Sequence, residues 1–395
     1  MMFSRLLSEK LKQSASFPAI VLSGPRQSGK STLVQLVFPK HRYITFDKEV
    51  DRLFAAEDPE RFLKLHENEH GLIIDEFQYV PKLFSYIKIE IDTKKRPGYF
   101  ILTGSQNFLA NQAITESLAG RICILNLLPL SIQEMRDNNL LQEDVDQMIF
   151  QGGYPRLYQD HVLATDLYSS YVQSYVERDV RQLINVGNIT IFQRFIALCA
   201  GRVGQELNLS ALSSECGITL PTVKSWLAIL EASYIIFLLP PHYKNFNKRL
   251  IKTSKLYFFD TGLACSLLRI PSMDVLALSP FRGALFENFI IADLYKQYCN
   301  RGMRSPLFFW RDAGGLHEVD CIIDEGARLT PIEIKSSQTF VSAFFKGLDY
   351  WNELAQVDPS TSYLIYGGSD NQERRQGNVV GWREVGGLVE KIRAK

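Results

Sequence analysis

The chain has 395 residues, a formal net charge of +1, 46% hydrophobic and 22% charged residues. That length exceeds one ordinary core and predicts two or three domains, and the composition excludes a disordered or collagen-like chain. Near-balanced charge excludes a global pull toward nucleic acid, so any such contact must rest on a local patch.

The six cysteines (Cys123, Cys199, Cys216, Cys265, Cys299, Cys321) are scattered with no Cys-x-x-Cys pair. This fits a reducing compartment and argues against a disulfide framework or structural zinc. No apolar run approaches a membrane span, and residues 234–239 end at Pro240 and Pro241. Glu9, Lys10 and Lys12 interrupt any signal-peptide layout, so the expectation is a cytoplasmic protein without membrane contact.

The first predicted elements are an apolar strand at 19–22 and a helix from Thr32 to Val37. Between them lies Gly24-Pro25-Arg26-Gln27-Ser28-Gly29-Lys30-Ser31. A Gly-x-x-x-x-Gly-Lys-Ser loop between strand and helix turns backbone N–H groups and the positive helix end toward phosphates. Lys30 adds a point charge, the Ser31 hydroxyl ligates Mg²⁺, and Thr32 closes the loop. Binding of a nucleoside triphosphate with Mg²⁺ follows.

A strand at 43–46 and a helical stretch over 52–65 come next, with Asp58 before Pro59 as a helix cap. The strand at 71–75 ends in Asp75-Glu76: Asp75 is placed to hold the Mg²⁺ and Glu76 to polarise the attacking water. The strand at 99–103 runs into Thr103-Gly104-Ser105 and is expected between the first strand and the acidic one. Ser105 or Thr103 then reaches the γ-phosphate or the water. Arg121 is a candidate for neutralising transition-state charge, in cis or in a neighbour's site of a homo-oligomer. Alternating strands and helices give this region a parallel sheet, within an α/β multidomain chain.

Together with Glu116-Ser117-Leu118-Ala119-Gly120-Arg121, Gly152-Gly153-Tyr154-Pro155 and Tyr175-Val176-Glu177-Arg178-Asp179, these motifs resemble the AAA-type ATPases of the additional-strand glutamate class. More narrowly, nearly the whole chain resembles the bacterial and archaeal ATPases whose AAA core precedes a domain of unknown function. The resemblance implies ATP hydrolysis and leaves the cellular task open.

The turn cluster at 151–155 marks the expected end of an ATPase domain over 1–150. A helical connector and a winged helix fill 151–275. Residues 209–216 and 218–231 read as helix, turn, helix, with Thr219 capping the second helix and Val223, Trp226, Leu227 and Leu230 on its buried face. Strands at 235–239 and 255–259 form the wing. Between and beside them Lys244, Lys248, Arg249, Lys252 and Lys255 occur without an acid, interleaved with Tyr243 and Phe246, a composition suited to DNA phosphates and bases.

From 276 onward a helix at 285–294 precedes strands at 307–310, 318–323 and 331–335, a helix at 342–354 and a strand at 362–366. This order resembles the restriction-endonuclease fold of the Asp…(Asp/Glu)-x-Lys nucleases. Asp320 and Glu333 on hairpin partners, Glu287 on the helix and Lys335 two residues past Glu333 form a candidate nuclease site for a second Mg²⁺ or Mn²⁺. His317 reads as a turn residue. The chain is therefore expected to be an ATP-driven switch or motor acting on DNA. The alternative is an ATP-gated regulatory or oligomerisation protein without DNA or nuclease activity.

Overall fold

The structure is a computed structural model that describes residues 3–105, 118, 120–176, 189–242, 253–312 and 314–394. Chain contacts divide it into two units: Met1–Pro129 with Ala232–Tyr234 and Cys299–Met303, and Leu130–Glu231 with Ile235–Tyr298 and Arg304–Lys395.

In the first unit, α1 (Leu7–Gln13) leads into β1 (Ala19–Ser23), α2 (Lys30–Val37) and β2 (Arg42–Thr45). Then follow α3 (Glu49–Glu57), α4 (Pro59–Leu65), β3 (Leu72–Asp75), α5 (Leu83–Lys94), β4 (Phe100–Gly104) and β5 (Ile122–Asn126). The sheet order is β2-β3-β4-β1-β5, all parallel, so β4 lies between β1 and the acidic β3 as expected. Strand alternation splits the core into two faces. Ala19, Val21, Leu72, Ile74 and Leu102 pack with Phe62, Phe84 and Ile87. Ile20, Leu22, Ile73 and Ile101 pack with Leu7, Leu11, Leu33 and Val34. The expected helix over 52–65 is two helices, because Asp58 interrupts it. Its side chain accepts from Arg61 N at 3.1 Å, and Pro59 opens α4.

In the second unit, α6 (Ile132–Asp137), α7 (Val145–Gln151), α8 (Pro155–Gln159), α9 (Ala164–Tyr171) and α10 (Ile189–Ala200) precede α11 (Leu209–Cys216) and α12 (Leu220–Ala232). The contacts draw the division at Pro129 rather than at 150. The Gly152-Gly153-Tyr154 stretch is buried within this unit rather than lying at its boundary. Asp260 accepts from Gly153 N at 2.7 Å, and Tyr158 donates to Gly152 O at 2.6 Å. A Cβ on Gly152 would sit 2.4 Å from Asp260 Oδ1, so only glycine admits that approach.

Gly217, at φ 66°, closes α11, and Thr219 Oγ1 accepts from Thr222 N at 3.3 Å at the start of α12. Val223, Trp226, Leu227 and Leu230 are buried, with Trp226 edge-on to Phe192 and Phe195. Strands β6 (Ile236–Leu239) and β7 (Lys255–Phe258) pair antiparallel. Lys244, Lys248, Arg249 and Lys252, Tyr243 and Phe246, and Glu116, Ser117, Ala119, Glu177, Arg178 and Asp179 lie outside the described residues.

After α13 (Thr261–Leu267) and α14 (Met273–Leu278), the long α15 (Arg282–Cys299) precedes β8 (Leu307–Arg311), β9 (Glu318–Asp324) and β10 (Leu329–Lys335). Then come α16 (Lys346–Ala355), β11 (Tyr363–Tyr366), β12 (Gln372–Arg374), β13 (Gly377–Gly381) and α17 (Leu388–Ala394). The six strands order as β12-β13-β11-β10-β9-β8, a mixed sheet two strands larger than expected. Strands β12 and β13 carry Gln372, Glu373, Arg374, Gly377 and Asn378, too polar to show strand alternation.

Candidate functional sites

At the carboxyl end of the parallel sheet, residues 24–29 form the loop between β1 and α2, and Lys30 and Ser31 open α2. A Cβ on Gly24 would lie 2.1 Å from Leu127 O, which explains glycine there. Lys30 is buried and donates to Gly24 O at 2.9 Å and Pro25 O at 2.7 Å. These loop carbonyls hold the ammonium against the loop backbone. Ser31 Oγ donates to Asp75 Oδ2 at 2.7 Å. The two side chains expected to share Mg²⁺ thus meet, and a hydroxyl beside a carboxylate is a donor set suited to that ion.

Asp75 has further donors. Tyr43 OH reaches Oδ2 at 2.6 Å, Glu76 N reaches Oδ1 at 3.2 Å, and Thr103 Oγ1 also donates to Oδ1. Burial and the Asp75 bond push the Tyr43 phenol well above its ordinary range, so it stays a donor. Thr103 therefore serves Asp75, while Ser105 Oγ donates to Glu76 Oε2 at 3.3 Å, together with Gln78 Nε2. Glu76 sits at φ 55°, a left-handed conformation uncommon outside glycine and concentrated at functional sites.

Arg121 is not at this site. It precedes β5, whose register with β1 pairs Ala19 with Ile122 and Ser23 with Asn126. It therefore stands at the opposite end of the strands from the loop, about 13 Å away by strand rise alone. Its guanidinium pairs with Asp92 at 2.6 Å and 3.1 Å. The in-cis role expected for Arg121 is thereby corrected.

Three residues of this site escaped sequence reasoning. Arg5, buried, donates to Ser28 O at 2.7 Å and Leu128 O at 2.6 Å, bracing the loop from below. No spacing rule marks it. Tyr43 stands on β2, and its reach to Asp75 shows only once β2 and β3 are placed side by side. Gln78 lies two residues past Glu76, within a 3-10 turn (Phe77–Tyr79).

The second unit gathers the other predicted set. Antiparallel β9 and β10 pair Cys321 with Ile332, which places Asp320 and Glu333 one step further along. Asp320 Oδ2 accepts from Ile334 N at 2.7 Å, and Lys335 lies 2.6 Å from Glu333 Oε1 and 3.9 Å from Asp320 Oδ2. Glu287 on α15 completes the set, but its partners come from β7. Tyr257 OH donates to its Oε1 at 2.5 Å, and Lys255 Nζ lies 3.4 Å away.

Lys255 also pairs with Glu318 and lies over the Phe309 ring at 5.4 Å. It is 5% exposed, so its expected membership of the basic wing is corrected. Strand alternation turns Lys255 and Tyr257 to one face, toward the acids. Burial, then the charge of Asp320, pushes the Glu287 and Glu333 carboxyls well above the usual range. Burial pulls the lysines down, but the surrounding carboxylates outweigh it and hold Lys255 and Lys335 above their ordinary value.

Glu333 Oε2 is buried without a hydrogen-bond partner, the sort of atom a cation satisfies. Among the described residues, however, no three His, Cys, Asp or Glu side chains come together as a metal-holding group. The set as placed does not fit the expected second Mg²⁺ or Mn²⁺. His317 stacks on Tyr350, with ring centroids 3.8 Å apart and planes 4° apart. Among the described residues, no helix is long and apolar enough to cross a membrane.

An AAA domain family matches residues 16–136, and two domains of unknown function match 142–274 and 282–385. Uncharacterized proteins of Mycobacterium tuberculosis and Mycobacterium bovis are each 29% identical over 330 residues, 82% of this chain and 71% of theirs. A Walker-type ATPase of Pyrococcus abyssi is 18% identical, covering 68% of this chain and 96% of its own, with a TM-score of 0.44. The Thermotoga maritima RuvB Holliday junction branch migration motor is 18% identical, covering 59% and 89%, with a TM-score of 0.32. The AAA match, laid over a phosphate loop on a parallel sheet, supports an AAA-type, ATP-binding ATPase.

Proposed function

We propose that this chain is an ATP-hydrolysing switch or motor that acts on DNA. The observation that carries the ATP reading is the convergence of Lys30, Ser31 and Asp75 at the carboxyl end of β1 and β3. The loop amides of 24–31 and the start of α2 hold the β- and γ-phosphates, and Lys30 leaves its carbonyl partners for them. Ser31 and Asp75 hold the Mg²⁺ that accompanies ATP, whose charge offsets that of the phosphate oxygens. Glu76 accepts a hydrogen bond from the attacking water in place of Gln78 or Ser105 and orients it toward the γ-phosphorus. With Arg121 on the far end of the strands, we assign it to a neighbouring copy's site in a homo-oligomer.

The DNA part rests on element order and composition. Helix, turn and helix are followed by an antiparallel strand pair, the order of a winged helix. The chain joining the strands carries Lys244, Lys248, Arg249 and Lys252 without an acid. The C-terminal order of helix, three antiparallel strands, helix and parallel strand supports a restriction-endonuclease-like reading. Its carboxylates, already paired with lysines, favour a binding platform over a cutting centre. The deciding experiment is ATPase measurement with single-stranded, duplex and branched DNA, using Glu76→Gln as control. Stimulation by one form supports the reading, and equal rates with and without every form defeat its DNA part.

A further inference from the structure

The acidic set of the second unit sits among more fixed positive charge than its own strand–helix framework supplies. Lys335 is its own lysine, two residues from Glu333 on β10. Lys255 is not: it arrives on β7, the strand paired with β6. Its backbone is fixed from both sides, since Leu239 pairs with Lys255 and Glu206 forms a bridge to it. Gly204 N donates to Leu256 O at 2.9 Å, and Leu256 N to Gln205 O at 3.1 Å. The ammonium is therefore delivered by a held strand rather than by a surface side chain that wandered inward.

Its place is specific. Nζ lies 3.4 Å from Glu287 Oε1 and pairs with Glu318, and Tyr257 on the same strand face donates to the same Glu287 oxygen. A lysine 5% exposed is retained only where acids compensate its burial. The acids in turn need a cation, because Asp320 raises the cost of charging both Glu287 and Glu333 in this buried place.

We propose that Lys255 is the resident cation of this centre, and that it and a divalent metal ion exclude each other there. The centre is metal-free by construction while β7 holds its place, and a divalent ion enters only when the Lys255 ammonium leaves. This inference does not rest on the ATP reading.

The test uses the full chain without nucleotide and Mn²⁺ as the probe, counting bound ion by loss of the free-ion EPR signal. Binding at the centre is defined as the part that Asp320→Asn removes, which separates it from any ion at Ser31 and Asp75. The wild type shows no such component, whereas Lys255→Met gains one Asp320-dependent Mn²⁺ per chain. Lys255→Arg, which keeps the charge, stays metal-free. An Asp320-dependent Mn²⁺ in the wild type overturns the proposal, and that arm needs no folded Lys255 variant. So does a folded Lys255→Met, judged by near-UV circular dichroism, that gains no ion.

Discussion

The Tyr43 hydroxyl donates at 2.6 Å to Asp75 Oδ2, the oxygen that also accepts from Ser31 at 2.7 Å. Two neighbouring elements, β2 and the start of α2, thus converge on one carboxylate oxygen before any ligand arrives. Tyr43→Phe removes one donor to that carboxylate and keeps the ring. Hydrogen bonds to charged groups contribute more than neutral ones, so a loss of about 1.5 kcal/mol in unfolding free energy is expected. Urea denaturation of the first unit, followed by loss of nucleotide binding, measures it; an unchanged midpoint contradicts the assigned bond.

Lys30 and Glu76 act at different stages, and their variants should separate. Lys30→Ala removes the point charge that meets the phosphates, and a fluorescent ATP analogue should bind at least about tenfold more weakly. Glu76→Gln keeps the cradle and weakens the group that accepts from water. Binding should stay near the parent value while phosphate release falls about 10²- to 10⁴-fold. Comparable loss of binding in both variants argues against a separate role for Glu76.

The phosphate site was largely legible in the sequence because its logic is local. Loop residues 24–31 and the pair Asp75-Glu76 lie at strand ends, where spacing fixes their place, and only the detailed donors (Arg5, Tyr43, Gln78) needed coordinates. Arg121 misled because a residue just before a strand and one just after it look alike in sequence, yet they sit at opposite ends of a parallel sheet. Lys255 misled for another reason. It follows a run of exposed-type cations, and nothing local says that its strand face points at Glu287, a residue 32 positions later.

Acid should weaken the first unit through His41. Burial lowers the pKa of its imidazole, and Nε2 lies 2.9 Å from Gly98 O, where the neutral ring donates. A depressed folded-state pKa means that the unfolded chain binds the proton first as pH falls. Stability is therefore full above the ordinary histidine value near 6.5 and declines below it. The calorimetric transition that excess ATP shifts upward identifies this unit. Its midpoint should fall between pH 7.5 and 5.5, and His41→Gln, which keeps an N–H for Gly98, should fall less. Equal slopes would move the acid sensitivity elsewhere, the half-buried His66 being the next candidate.

The buried Asp260 makes the most specific stability prediction for the second unit. Its carboxylate accepts from Tyr168 OH at 2.6 Å, Gly153 N at 2.7 Å and Leu263 N at 3.2 Å, joining the Gly152-Gly153 segment to α9 and the start of α13. Asp260→Ala strands these donors where water has little access, and a loss of about 3 kcal/mol is expected. Asp260→Asn, which keeps one acceptor oxygen, should lose about half as much. All four tryptophans (Trp226, Trp310, Trp351, Trp382) belong to this unit, so tryptophan fluorescence in urea reads it selectively. Affinity for the ATP analogue reads the first unit and should hold steady in the folded baseline. A variant that loses nucleotide affinity while its tryptophan transition stays in place would show that the Asp260 network serves the ATP site rather than the second unit's fold.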